Sequence, residues 1–394
     1  MSARGAAGIY VHFPFCAVKC SYCDFAVAAG QDLKIPRYLA ALGREFRGVQ
    51  RAAVPEADTL YFGGGTPSRM SADEIRGLID AVRAEFVLSP DAEITLEANP
   101  EDVLPSAVDG WLRAGVTRLS IGVQSLNDGV LRGAGRAYDG TRALRAVCEA
   151  RERGAPSVAV DLIAGLPGED LDRWGETISR VLDSAPDHVS LYLLETDHES
   201  AIGKALRRGR IDAFDEDAQV DAYLRSVAVL SGAGLDPYEI SNFARAGHRS
   251  RHNLKYWSDR PYAGFGVGAH AYLDGARRGN RRGLAGYLAD VEAGRDPLAE
   301  HDPWDRGRRA EEAVILGLRR CEGVDVDELG RRYGFDAEAS YGAVFVRARA
   351  DGLVRREGST VRLTEVGRVR SNAVFREILG RPLHPRAAAP EEVQ

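Results

Sequence analysis

The sequence predicts an α/β protein: a partial (β/α)6 TIM-like barrel followed by a small C-terminal winged-helix-like α+β domain. Three observations carry this. Short β-branched apolar runs alternate with amphipathic segments from residue 8 to about 195, Gly or Pro marks the turns between them, and after about residue 295 that rhythm stops. The strand candidates are 8–13 (GIYVHF), 59–64 (TLYFGG), 93–98 (EITLEA), 117–123 (TRLSIGV), 157–163 (SVAVDLI) and 188–194 (HVSLYLL). Each is separated from the next by enough chain for a crossover helix, which argues for parallel βαβ units. The segment 71–86 opens with Ser71 and carries Glu74 three residues later, the spacing of a capping box. Beyond 295, the stretches 311–320, 326–335 and 337–352 read as three helices. A hairpin over 352–364 turns at Gly358-Ser359, and 372–379 reads as a last helix. The expected division is therefore 1–295 for the barrel, 296–380 for the winged-helix-like domain and 381–394 for a disordered tail.

The chain has 394 residues, 44% hydrophobic and 28% charged, which suits a globular protein with a sizeable core. No run of about 18 apolar residues exists, and the N-terminus MSARGAAGIYVHF has neither the basic start nor the long apolar stretch of a signal peptide. A cytoplasmic location is expected. The net charge of -6 and pI near 5.9 lack the basic footprint of a nucleic-acid binder, so no nucleic-acid partner is expected. On the same ground, the C-terminal module reads as a packing or docking domain.

Three of the five cysteines fall within eight residues, in Cys16-Ala-Val-Lys-Cys20-Ser-Tyr-Cys23, directly after the first strand. In a cytosolic chain such thiols stay reduced and act as soft metal ligands. A structural zinc site would need a fourth ligand, for which His12 or Asp24 could serve, and the sequence has no second cysteine pair. A four-iron cube on three cysteines would instead leave one iron open to bind and activate something. Cys148 and Cys321 read as buried small hydrophobes. Cys16, Gly63 to Thr66, Glu97, Gln124, Asp161 and Glu195 all lie at or just past strand ends. Ligands of parallel α/β folds bind on that face. One site is therefore expected there.

The C-x3-C-x2-C loop, with aromatic Tyr22 before the third cysteine, resembles the radical S-adenosylmethionine (SAM) superfamily, and the barrel is then a radical SAM barrel. The resemblance implies a [4Fe-4S] cluster on Cys16, Cys20 and Cys23, with S-adenosyl-L-methionine chelating the open iron. It also implies one-electron reduction by a low-potential electron donor, with cleavage to methionine and a 5′-deoxyadenosyl radical. The SAM contacts it implies are Tyr10, Gly64, Gly65, Thr66, Glu97, Gln124, Arg136 and Asp161. Gly63-Gly64-Gly65-Thr66-Pro67 would let backbone approach the methionine end, and Glu97 would accept from ribose hydroxyls.

Over residues 8 to about 290 the series YVHFPFC, YFGGGTPS, LEANPE, RLSIGVQS, DLIAGLPG, YEISNFA and RHNLKYW resembles the oxygen-independent coproporphyrinogen III oxidase family. That family contains two branches, the oxidase proper and heme chaperones of the HemW type. The oxidase motif has a fourth cysteine where this chain has Phe25, and a long segment ahead of its first strand. Both count for the chaperone. The segment His252-Asn253-Leu254-Lys255-Tyr256-Trp257 resembles the chaperone's heme-associated H-N-x-x-Y-W motif, which makes His252, Asn253, Tyr256 and Trp257 heme-associated candidates; an imidazole beside aromatics suits axial ligation and stacking on a porphyrin. His252 as a capped loop histidine is the alternative, and His270 is a second candidate ligand. The resemblance thus implies heme binding and transfer to acceptor hemoproteins. It also admits peripheral membrane association and a homodimer. Coproporphyrinogen oxidation is the other reading.

Overall fold

In the computed structural model, which describes residues 5–48, 54, 56–195, 199–212 and 216–386, the six expected parallel strands all form. They are β1 (Ala7–Phe13), β2 (Ala57–Gly64), β3 (Leu88–Ala98), β4 (Arg118–Gln124), β5 (Val158–Ala164) and β6 (His188–Leu193). Each pairs in parallel with the next. β6 is extended by antiparallel β7 (Asn242–Ala244). On the other flank, β8 (Tyr262–Phe265) pairs in parallel with β1, and the sheet continues through β9 (His270–Leu273), β10 (Ala276–Asn280) and β11 (Leu298–Pro303). These flanking strands are additions to the sequence reading. They are too short to show a sustained period-2 alternation.

Alternation along the six strands explains the architecture. Ile9, Val11, Leu60, Phe62, Leu96, Leu119, Ile121, Val160, Leu162, Val189 and Leu191 are buried on one face. The intervening positions, Tyr10, Thr59, Tyr61, Thr95, Glu97, Arg118, Ser120, Asp161, His188 and Ser190, are polar and share the opposite face. The apolar face meets the helices, such as Ala72–Glu85, whose Ile75, Leu78, Ile79 and Val82 are buried and whose Ser71–Glu74 capping box forms as expected. The polar face lines the interior of the partial barrel. Several of its groups bond there: Tyr61 donates to Glu97 at 2.8 Å, Ser120 to Asp161 at 3.1 Å, and Thr59 Oγ1 lies 2.8 Å from His252 Nδ1.

The chain divides into two compact units. One comprises residues 1–236, 241–255 and 260–302; the other comprises 237–240, 256–259 and 303–394. The segment expected to be heme-associated is thus divided, with His252 and Asn253 in the first unit and Tyr256 and Trp257 in the second. In the second unit the helices Arg306–Arg319, Val326–Tyr333 and Ala337–Ala350 pack Val314, Leu318, Tyr341 and Val344 around a core shared with Val361, Val374 and Ile378. The hairpin forms as β13 (Val354–Glu357) and β14 (Thr360–Leu363). A third strand, β12 (Val324–Asp325), pairs with β14.

Two expectations are corrected here. Residues Arg381 to Arg386 are ordered, not part of a disordered tail: Leu383 packs on the core, Asp336 N donates to His384 O at 2.8 Å and His384 N to Ser340 Oγ at 3.0 Å. The remainder of that tail, 387–394, lies outside the described residues. Cys148 and Cys321 are half-buried, not fully buried. No helix among the described residues is long and apolar enough to cross a membrane.

Candidate metal and cofactor site

The cysteine loop leaves β1 at Pro14 and returns to it: Ala28 N donates to Pro14 O at 2.7 Å and Gly30 N to Cys16 O at 3.0 Å. On its far side Ser21 N donates to Ala134 O at 3.2 Å, and Ile202 N donates to Ser21 O at 2.8 Å. Cys16 is buried while Cys20 and Cys23 are half-exposed, and all five cysteines are free thiols. The three loop thiols lie close enough to sense one another's charge. Burial pushes the Cys23 thiol up to about 11, with repulsion from Cys20 and Cys16 adding to the effect. Burial raises the Cys16 thiol as well, and buried thiols need a cationic centre to be held as thiolates, which the iron of a cluster would supply. The donor set fits a cluster bound by three cysteines.

Two groups donate to these sulfurs. Thr66 Oγ1 is 3.5 Å from Cys16 Sγ, and Arg136 Nη1 is 3.1 Å from Cys20 Sγ. Arg136 also donates through Nη2 to Asn99 Oδ1 at 2.7 Å and through Nε to Tyr138 Oη at 2.8 Å. The guanidinium expected at the adenosine or carboxylate end is, in this fold, fastened to the cluster loop. Asn99 and Tyr138, which the sequence reading did not assign, hold it there. Asn99 lies inside LEANPE and Tyr138 two residues past Arg136, so both were adjacent to assigned positions.

Backbone sterics explain the glycine loop. Gly64 has φ +111°, and a Cβ on it would come within 2.4 Å of the His12 ring; one on Gly65 would lie 2.6 Å from Pro14 C. The loop therefore threads between the end of β1 and the β3 carboxylate: Gly65 N donates to Phe13 O at 2.7 Å, Thr66 N to Phe15 O at 2.9 Å, and Gly64 N to Glu97 Oε2 at 3.0 Å. The glycines serve close packing on the cysteine loop, in addition to any ligand. Gly65→Ala is expected to drive backbone against backbone, lowering stability by about 1–3 kcal/mol and reducing iron per chain after reconstitution. Unchanged iron content and melting temperature would contradict this packing role.

Glu97 is recessed beneath the loop, and burial raises its carboxyl to about 7, Tyr61 and Gly64 opposing and Asp161 adding to the shift. Its folded value lies above its unfolded one, so its stabilising contribution is complete below about pH 4.5 and is lost as pH rises through about 7. Compared with Glu97→Gln, the ligand-free protein should lose on the order of 1–3 kcal/mol between these limits. Urea unfolding of both proteins at pH 4.5 and 8 measures this; parallel pH profiles would contradict it. Asp161 is likewise raised, by burial, with Ser190 and Ser120 donating to it.

Gln124 closes β4 at φ +65°, a left-handed conformation that a non-glycine residue adopts at a cost. Such strain at the mouth of a parallel sheet is characteristic of a ligand-facing position. Tyr10 Oη is 3.0 Å from His12 Nδ1, whose Nε2 is 2.8 Å from Ala26 O. Burial lowers His12 to about 4, so the imidazole is neutral and bridges β1 to the cysteine loop. Tyr10, Gly64, Gly65, Thr66, Glu97, Gln124, Arg136 and Asp161 therefore collect on or beneath one face, beside Cys16, Cys20 and Cys23.

His252 does not join them at the mouth. It is 1% exposed, with its ring 5.1 Å from that of Tyr61 and 6.4 Å from that of Tyr10. Its backbone N–H and that of Arg251 donate to Glu93, while Lys255 Nζ donates to Ala6 O at 2.7 Å. The helix Arg251–Tyr256 thus plugs the interior near the N-terminal ends of β1 and β2. In the ligand-free fold the His252 imidazole is enclosed, and burial lowers it to about 3. His270 is exposed on β9, whereas Asn253, Tyr256 and Trp257 are partly exposed.

The Radical SAM superfamily profile matches residues 10–181, and that of the HemN C-terminal domain matches 305–370. The heme chaperone HemW of Bacillus subtilis (strain 168) is 32% identical over 94% of this chain and 98% of its own. The heme chaperone HemW of Mycobacterium tuberculosis (strain ATCC 25618 / H37Rv) is 37% identical over 95% of each. Among solved structures, coproporphyrinogen III oxidase (HemN) from Escherichia coli, a radical SAM enzyme, is similar with a TM-score of 0.83 at 25% identity, covering 95% of this chain and 91% of that one.

Proposed function

Because the chain belongs to the radical SAM superfamily and, within it, to the family of heme chaperones of the HemW type, we propose that it binds heme and delivers it to acceptor hemoproteins. It carries a [4Fe-4S] cluster on Cys16, Cys20 and Cys23 and binds S-adenosyl-L-methionine. When bound, these supply one-electron reductive cleavage of the sulfonium. The chain's own residues do the holding: Arg136 and Thr66 donate to two of the cysteine sulfurs, Glu97 accepts from Gly64 N, Gln124 ends β4, and Asp161 lies mid-strand on the neighbouring β5.

The observation that carries the chaperone reading is Phe25. It occupies the position of the oxidase's fourth cysteine and is 61% exposed on the cysteine loop, with no thiol there for oxidase chemistry. Within this reading we place the protein in the cytoplasm, with a low-potential electron donor, peripheral contact with a membrane that carries the acceptors, and a homodimer as further expectations. The heme contacts are proposed at Asn253, Tyr256 and Trp257, and of the two candidate imidazoles, His252 and His270, His270 is the exposed one.

The test is anaerobic reconstitution followed by two assays on one sample. Heme should bind, read as a Soret difference spectrum, and coproporphyrinogen under reduction with S-adenosyl-L-methionine should release no carbon dioxide. Carbon dioxide release without heme affinity would reverse the assignment.

A further inference from the structure

The C-terminal unit contains a cavity of about 200 Å3 that the heme-chaperone reading leaves unused. Strand alternation builds its wall: Val354 and Val361 turn to the core, while Arg355, Thr360 and Arg362 line the cavity. Arg355 and Arg362 stand directly opposite each other in the β13–β14 register. Like charges so placed repel. Neither has a side-chain hydrogen bond or ion pair among the described residues. Arg356, between them on the other face, is instead paired with Glu338 at 2.7 Å.

The arrangement is held in place. Gly323, at φ +71°, lies under the Arg362 stem, where a Cβ would come within 2.5 Å of Cγ. Arg368, only 8% exposed, adds a third guanidinium to the lining, with Nη1 3.7 Å from Cys321 Sγ. Glu357 and Glu365 also line the cavity, so its lining carries three arginines and two glutamates.

We propose that this cavity binds a small oxyanion, a carboxylate or phosphate group, between Arg355 and Arg362 and above Arg368. Guanidinium forks match such groups bidentately, and an anion between opposed arginines turns repulsion into attraction. The group has two possible sources: a free anion such as inorganic phosphate, or a carboxylate carried by a larger ligand such as a porphyrin propionate.

Cys321 reports occupancy because its thiol lines the same cavity. The full-length protein is alkylated with iodoacetamide, and the rate at Cys321 is followed by peptide mass spectrometry, with Cys148 in the helix Gly140–Glu152 as internal reference. Inorganic phosphate, against sodium chloride of equal ionic strength, should slow Cys321 by about fivefold at a concentration of about four times Kd, by mass action, and leave Cys148 unchanged. The Arg355→Gln/Arg362→Gln variant should lose this protection, and Arg362→Lys should keep part of it. A second arm uses metal-free mesoporphyrin, a dicarboxylate. Protection by phosphate alone supports a free anion, and protection by the porphyrin at lower concentration supports a carried carboxylate. Absence of protection by both, equal slowing of both cysteines, or full protection in the double variant would overturn the site.

Discussion

Replacing Cys20 and Cys23 together by alanine is expected to remove the cluster completely, from about four irons per chain to background after reconstitution, with loss of the visible iron–sulfur absorbance. One thiol, Cys16, remains, and a single thiolate cannot chelate a cube. The fold should survive. Cys20 and Cys23 are half-exposed, and the loop is tied down by backbone groups that the substitutions leave intact, at Ser21, Ala28 and Gly30. Circular dichroism and melting temperature should therefore stay near those of the unreconstituted parent. Zinc in place of iron in the parent protein, or iron retained in the variant, would refute the assignment of these thiols. Arg136→Gln is informative beside it: its guanidinium contacts Cys20 and ties that sulfur to Asn99 and Tyr138. Groups that orient metal ligands typically change affinity about 10- to 100-fold.

His252→Ala should have its effect on stability. The imidazole is enclosed, bonded to Thr59 and packed on Tyr10 and Tyr61. Its removal leaves a cavity and deprives a buried hydroxyl of a partner, a loss of about 2–4 kcal/mol by the usual scale of such changes. Heme affinity should remain within about threefold, less than 1 kcal/mol, because the ring is not accessible in the fold. Urea unfolding and a heme titration on the same preparation separate the two effects. A loss of heme affinity of about tenfold or more at unchanged stability would restore His252 as a heme ligand. His270→Ala, which removes an exposed side chain on β9, is the matched control and should leave stability nearly unchanged.

The strands were legible because each announces itself locally. GIYVHF and TLYFGG need only their own period-2 alternation and a following turn to be read as β1 and β2. The capping box at Ser71 and the hairpin turn at Gly358 are equally short-range signals and form where expected. The flanking strands β8 to β11 and the role of the Arg251–Tyr256 helix were not legible. Their positions depend on pairing with β1 and on burial against Thr59, which no local pattern encodes. A histidine next to two aromatics looks the same in sequence whether it faces solvent or the barrel interior.

By itself, then, the sequence determined the αβ order, the three-thiol loop and the absence of a fourth thiol at Phe25, because spacing within one loop is limited by chain geometry alone. Only the tertiary structure decided what surrounds those thiols. Arg136 meets Cys20 across 116 residues of sequence and His252 meets Thr59 across 193. Contacts of that separation form only once the parallel strands have set their register. That register places one guanidinium on a cysteine sulfur and turns one imidazole inward.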